Sequence, residues 1–327
     1  MANRGRPNDT AAIVAFAERF GRVTGVAIES CSGAAHLAEE LSTRAGWSVD
    51  LAHPGFVARM RQNRDKHDWG DARLLADLER VGYLPRVWLA PESIRDLRRL
   101  VRYRQQMAHQ RRDLELRIGA MLRDQRLVNP PARPWTLRLF KWLRSEASLT
   151  EQSRWIIDRQ LIDLERVLLE VREVELRLSA VTADDPVVDR LMSFKGIGPV
   201  TAWTLRAEIG RFDRFRTGKQ LARFCGLSPR NASSGERQAD SGLIKAGNRQ
   251  LRATIIETAH RLRRFDPTWG RFGLKMEMRG KARCLVVMTS SSHPWVIPVG
   301  TRSVDGAVVT HSKAPPWAIP RNREMLG

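Results

Sequence analysis

Apolar and polar positions alternate along this chain in three distinct regimes. The first covers roughly the first ninety residues and mixes helical and strand spacing. Residues 11–19 (Ala-Ala-Ile-Val-Ala-Phe-Ala-Glu-Arg) read as a short amphipathic helix behind Asn8, Asp9 or Thr10 as a cap. Residues 25–29 (Gly-Val-Ala-Ile-Glu) read as a buried strand ending in a carboxylate, residues 34–45 as a helix, and residues 47–52 as a second short strand. From 71 to 81 Leu74, Leu75, Leu78 and Val81 share one helical face. The second regime starts near Pro91. Nothing but Gly119 interrupts a helix from 92 to about 127, whose stripe is Leu97, Leu100, Val101, Met107, Ala108, Leu114, Ile118 and Leu122. Its other side carries Arg95, Arg98, Arg99, Arg102, Arg104, Arg111 and Arg112. After a proline-rich break at 129–134, Ile157, Leu161, Leu164, Leu168, Val171 and Leu178 follow the 3-4 spacing of a coiled-coil seam over about 150–180. Two long helices with a break between them fit an antiparallel hairpin or an oligomerising arm, and equally a plain helical bundle. The third regime, from Asp184-Asp185-Pro186 onward, predicts short helices joined by glycines, and after Val287 periodicity is lost.

The expected organisation is α/β plus all-α. Residues 1–88 form an α/β part, 89–185 a helical coiled-coil region, 186–287 a small helical domain and 288–327 an irregular tail. Two strands are few for the first part, because a parallel pair cannot bury both of its faces well.

Charge changes the picture most. The 327 residues carry 56 Lys and Arg against 36 Asp and Glu, a formal net charge of +20. Only 8 of the cations are Lys. An excess of this size favours a polyanionic partner, nucleic acid first, over an ordinary metabolite. A GC-rich genome would explain Arg over Lys but not the excess itself. Hydrophobic residues make up 42% of the chain, enough for real cores. No run of 18 apolar residues predicts a membrane span, and no apolar segment near Met1 predicts a secretory signal. Cys31, Cys225 and Cys284 are scattered and odd in number, which fits a reducing cytoplasm and no zinc site.

Three carboxylates are candidates for chemistry. Glu29 ends the first strand, and Asp68 and Asp71 sit three apart at a helix start, sharing a face. Like charges so placed repel unless a cation lies between them, and hard divalent ions such as Mg²⁺ take carboxylate oxygens. Asp is also common at helix starts for dipole reasons alone. Downstream, Lys195-Gly196-Ile197-Gly198-Pro199 predicts a tight turn before a helix, where backbone N–H groups can approach a phosphate or where two helices simply pack closely. Lys219, Arg230, Lys245, Arg249 and Arg252 are candidate phosphate-neutralising groups.

In order along the chain stand Val26-Ala27-Ile28-Glu29-Ser30, Asp68-Trp69-Gly70-Asp71-Ala72-Arg73, Lys195-Gly196-Ile197-Gly198-Pro199, Phe224-Cys225-Gly226-Leu227-Ser228-Pro229-Arg230, Ser233-Ser234-Gly235 and Lys245-Ala246-Gly247-Asn248-Arg249. This set resembles the DEDD transposases of the insertion-sequence-110 family, which includes Piv-type DNA invertases, over roughly residues 8 to 285. The resemblance implies an incomplete RuvC/RNase H-like domain whose Glu29, Asp68 and Asp71 hold Mg²⁺, and a coiled-coil insert. It also implies a transposase domain with a Gly-Ile-Gly hairpin and Ser234 as the nucleophile that attacks a DNA phosphate, with Ser233 as the alternative register. The implied function is DNA cleavage and strand transfer for a bacterial insertion sequence, by a homo-oligomer (dimer or tetramer), with a structured guide RNA in some members.

Departures from the family pattern carry their own expectations. The family opens with a strand bearing Gly-Ile-Asp, and no Asp at a strand end precedes Glu29 here, so one of four metal ligands is missing. Past Arg283 the family's apolar helix gives way to Thr289-Ser290-Ser291-Ser292-His293-Pro294. A truncated copy or a misassigned start codon is expected, with strand transfer weakened. Two alternatives follow: a non-catalytic nucleic-acid-binding remnant, and a junction nuclease that makes no use of serine.

Overall fold

The computed structural model describes residues 9–60, 68–127, 130–131, 133–231, 240–243 and 247–280, with backbone alone at 219, 229–231 and 240–243. The chain divides into two compact units, with the division between Glu92 and Ser93.

The first unit is a small three-layer α/β assembly. Helix α1 (Thr10–Ala17) starts behind Asp9, whose carboxylate accepts from the Ala12 amide. Strand β1 (Val26–Glu29), helix α2 (Ala34–Ala45) and strand β2 (Val49–Ala52) follow, and β1 pairs parallel with β2. Helices α3 (Pro54–Met60) and α4 (Asp68–Arg80) precede strand β3 (Arg86–Val87), which pairs antiparallel with β2. The sheet order is β1-β2-β3.

Strand alternation explains the layers. Ile28 and Leu51 face a cluster with Ala34 and Ala38 of α2. Their neighbours Ala27 and Ala52 face the opposite cluster, with Val57, Leu75 and Leu84. A third strand, with α2 on one face and α3 and α4 on the other, thus resolves the problem of a two-strand sheet. β3 is two residues long, too short to leave a pattern in the sequence. Arg86 ties it down, its Nε donating to Asp50 Oδ2 at 2.6 Å and its Nη2 to Glu79 Oε1 at 2.9 Å.

The second unit is helical with one small hairpin. Helix α5 (Glu92–Asp124) and helix α7 (Glu151–Val181) are joined through α6 (Leu137–Ser145). They run antiparallel. Tyr103 donates to Glu170 at 2.7 Å and Arg104 to Glu175 at 2.6 Å. Met107 meets Val167 and Val171. Further out, Ile118 and Leu122 meet Ile157, Leu161 and Leu164, with Leu139, Phe140 and Leu143 of α6 closing the end. Ile118, Ile157, Leu161 and Leu164 are fully buried, each stabilising the pair by roughly 1.5–3 kcal/mol. Of the sequence alternatives, the antiparallel hairpin is what α5 and α7 form. Leu100 and Leu114 of the predicted stripe are only partly buried, and Ile94, outside it, is buried.

Beyond α7 come α8 (Pro186–Met192), α9 (Pro199–Ile209) and α10 (Gly218–Phe224), the paired strands β4 (Pro229–Asn231) and β5 (Asp240–Leu243), then α11 (Arg249–Phe265) and α12 (Pro267–Met278). One core gathers Leu97 and Val101 of α5, Leu178 of α7, Leu191 of α8, Trp203 and Leu205 of α9, and Leu251 and Ile255 of α11. The root of the arm and the small helical region therefore share a core. No described helix is long and apolar enough to cross a membrane.

Candidate functional site

The carboxylates of the first unit are placed by the packing of α4 on β1. An ideal Cβ on Gly25 would stand 3.6 Å from Glu79 Oε1, and Ala27 packs into the cluster of Leu74, Leu75 and Leu78. The helix therefore runs back alongside the strand. β1 advances about 13 Å from Gly25 to Glu29, and α4 returns about 12 Å from Glu79 to Asp71. Ideal rises would bring Glu29 and Asp71 to similar levels, with Asp68 one turn further on. This is the carboxyl end of the parallel strands, where open α/β sheets bind their ligands. Asp68 and Asp71 both lie in the first turn of α4, as their spacing predicts. Glu29 and Asp71 are partly buried and Asp68 is exposed.

Among the described residues, no three His, Cys, Asp or Glu side chains are gathered tightly enough to hold a metal ion. The three carboxylates suit a hard divalent cation in kind. They do not form a closed cage.

In the second unit the sequence motifs are drawn together by glycine contacts. Gly196 has φ +96°, and a Cβ there would meet the Arg261 and Leu262 backbone at 3.3 Å. That glycine is explained by the close approach of α11, the packing alternative of the two read from sequence. Gly198 differs: it caps α9 at φ −95° with no side-chain cap and nothing within 4 Å of an added Cβ. Gly247 has φ +99°, and its Cβ would stand 2.6 Å from the Phe224 carbonyl oxygen. Gly247 is thus pressed against the backbone of 224–226. Next to that contact Asn248 caps α11, Oδ1 accepting from the Gln250 and Leu251 amides at 2.8 and 3.3 Å.

The basic candidates separate by environment. Lys195 is exposed in the turn and Arg249 is exposed in the first turn of α11. Arg252 is partly buried, and its Nη1 has no hydrogen-bond partner among the described residues. Lys219 sits in the first turn of α10, which Thr217 caps. Arg230 lies in β4 opposite Ser241 of β5. Ser233 and Ser234, in the segment joining these strands, and Lys245 lie outside the described residues.

Two groups that sequence reading passed over organise this region. Glu208 is buried on α9, where Arg102 grips it through both nitrogens at 2.9 and 3.1 Å and Arg98 stands 3.8 Å away. Arg98 also donates to the Ala207 carbonyl at 3.0 Å. Burial lowers the Arg98 pKa against the pull of Glu208, whereas the hydrogen bonds to Glu208 raise that of Arg102. The signal was a carboxylate flanked directly by the apolar Ala207 and Ile209. Arg214 stacks against Phe215 and Phe224, 4.4 and 4.6 Å from the ring centroids. Beside it, burial pushes the Cys225 thiol up to about 12, so it is a packing group and not a nucleophile.

Fold and site together define a small α/β unit with one carboxylate at a strand end and two in the first turn of α4, followed by a helical arm rooted in a motif-bearing helical region. Comparison with known proteins places both ends in one lineage. Residues 2–125 match the IS110-type DEDD transposase domain, and residues 188–273 match the domain described as "Transposase IS116/IS110/IS902 family". The transposase for insertion sequence element IS1111A of Coxiella burnetii is 26% identical over 290 residues, covering 86% of this chain and 79% of that protein. The transposase for insertion sequence element IS1328 of Yersinia enterocolitica is 26% identical over 238 residues, 72% of this chain and 69% of that protein. The y4qE protein of Sinorhizobium fredii is 30% identical over 214 residues, 65% of this chain, which spans about half (52%) of that relative. The chain belongs to the IS110 family of transposases.

Proposed function

We propose that this chain cuts and rejoins DNA for a bacterial insertion sequence, using carboxylates from its first unit and a serine from its second. The observation that carries the reading is the order of the two family matches, the first covering the carboxylate-bearing unit and running on through α5, the second covering the motif-bearing region. In this reading the first unit is a RuvC-like domain over 1–88, the arm over 89–185 is a coiled coil, and 186–287 is the transposase domain.

Glu29, Asp68 and Asp71 are the proposed Mg²⁺ ligands. Bound there, the ion would offset charge on the scissile phosphate. Ser234, or Ser233 in the neighbouring register, is the proposed nucleophile. Its Oγ–P bond forms as one P–O bond of the DNA backbone breaks; the serine loses its proton and the departing oxygen gains one. Lys195, the Gly196 and Gly198 turn, Lys219, Arg230, Lys245, Arg249 and Arg252 hold backbone phosphates, which position the DNA without reading its sequence. A structured guide RNA is a second polyanion that the same basic surface suits.

The test uses the purified chain with Mg²⁺ and a labelled DNA carrying the element's ends. A covalent protein–DNA adduct is expected, lost in Ser234→Ala and in the Glu29→Ala, Asp68→Ala, Asp71→Ala triple variant. DNA binding without any adduct or cleavage would select the non-catalytic remnant. Cleavage that survives in both Ser234→Ala and Ser233→Ala, with no adduct, would select a nuclease acting without serine.

A further inference from the structure

The far end of the arm holds a cavity of about 380 Å³ that the proposed chemistry leaves unused. It lies where α5 passes the proline-rich segment before α6. Gly119 lines it, with buried Leu122 and Leu139, half-buried Trp135 and exposed Arg112 and Arg123. Two local features keep it open. Gly119 sits inside a 33-residue helix, where glycine is a poor choice. An added Cβ there would meet nothing closer than Arg123 Nη1 at 3.5 Å, so core packing does not require the missing side chain. Trp135 has φ +60°, a left-handed conformation that bulky residues rarely adopt. Its ring packs against the core of Leu139, Phe140 and Leu143.

A second cavity of about 400 Å³ adjoins the first and shares Arg112 and Glu115 with it. Arg104, Gln105, His109 and Arg111 of α5 line it, with Gln250 of α11 on the other side. From Arg104 to Arg123 the two make one groove about 28 Å long. Its halves differ in character. The half near Gln250 is polar, and Gln105 Nε2 is buried there without a hydrogen-bond partner among the described residues. The half at Trp135 is apolar and aromatic.

Charge selects the occupant. Glu175 holds Arg104. Arg111 stands 3.5 Å from Glu115, which among the described residues is the one carboxylate lining either cavity. No described carboxylate pairs with Arg112 or Arg123. Residues 112–141 carry seven Lys and Arg against three Asp and Glu. An apolar slot on so basic a tip suits a flat ring carried by a polyanion better than an apolar peptide. Unpaired bases stack on Trp rings and guanidinium planes, and arginine pairs with the phosphates between them. We propose that the cavity beside Trp135 receives an unpaired nucleobase of a single strand, whose backbone follows the arginine-lined groove along α5 toward Gln250. The inference rests on the nucleic-acid-binding part of the proposed function and adds a subsite built by neither the carboxylates nor the serine.

Equilibrium binding of the full chain, without Mg²⁺, tests it. The probes are adenine strands of about twelve nucleotides and abasic strands of the same length and charge. Wild type should bind the adenine strand about tenfold more tightly. Trp135→Ala and Gly119→Leu should each erase that difference and leave the abasic affinity unchanged, while Trp135→Phe keeps most of it. Gly119→Leu fills the cavity from the helix and improves helix propensity, so its melting temperature should hold or rise. Arg112→Ala should weaken both strands and lower the salt slope by about 0.7. Equal affinity for the two strands overturns the proposal. So does discrimination that survives Trp135→Ala and Gly119→Leu, or a Trp135→Ala effect confined to melting, which would mark the ring as core. Discrimination with either sugar supports the pocket, and the sugar bound more tightly names the source, guide RNA for ribose and unwound DNA for deoxyribose. Failure to bind any strand overturns this proposal and the nucleic-acid reading together. Absence of a covalent adduct with discrimination intact counts against the recombinase chemistry alone.

Discussion

Gly247 and Gly198 stand in similar sequence surroundings and carry opposite constraints. At Gly247 a methyl group meets the Phe224 carbonyl at 2.6 Å and the backbone sits at φ +99°, so neither backbone nor neighbour can yield. Gly247→Ala should cost about 2–4 kcal/mol, from left-handed strain and overpacking together, measured as a lower midpoint in urea. At Gly198 the backbone is ordinary and the space is open, so Gly198→Ala should leave the midpoint unchanged. If that turn receives a phosphate, its DNA affinity should fall while stability holds. Cys225 supplies a pH-dependent counterpart. Its native thiol is raised to about 12, above the ordinary thiol value of roughly 8.5. Between those two values the unfolded chain releases a proton that the native chain keeps. Stability attributable to this group is therefore intact below the ordinary value and falls as pH rises through the interval. Wild type should lose more stability between about pH 8 and pH 10.5 than Cys225→Ala does; equal losses would contradict the burial of the thiol.

At the scale of elements, the joint between α5 and α9 rests on Glu208. Removing its charge with Glu208→Gln leaves Arg102 and Arg98 without their counter-charge. A fully buried pair broken this way loses about 3–5 kcal/mol. The Arg102 side chain is 58% exposed, so water recovers part of that and about 1–3 kcal/mol is expected. The denaturant midpoint of Glu208→Gln against wild type checks this. The same joint shows why some elements were legible in the sequence and others not. Helices α5 and α7 are long enough for period to speak, and their ends fall within three residues of those read from spacing. Asp68 and Asp71 lie in the first turn of α4 because the acidic start of a helix is a local signal. β3 has two residues and is defined by its pairing with β2 and by Arg86, both nonlocal. α6 follows Trp135 and the proline-rich break closely, and its nine residues are too few for the spacing to set them apart within the helical region. Glu208 could be noticed as a carboxylate among apolar neighbours, but its partners lie more than a hundred positions earlier in the chain.

Across the whole molecule, the charge excess sets how association with nucleic acid should respond to salt. The chain carries a net charge of +20, most of its cations being arginine. Binding to DNA or RNA through phosphate contacts releases condensed counterions. A chain making roughly six to ten such contacts should lose about 10³–10⁵ in affinity between about 50 and 200 mM salt. Sedimentation of the nucleic-acid complex at the two salt concentrations checks this. An affinity that hardly moves would mean that the excess of arginine is solvated surface and that phosphate contacts do not carry the binding; a fall of that size would mean that they do.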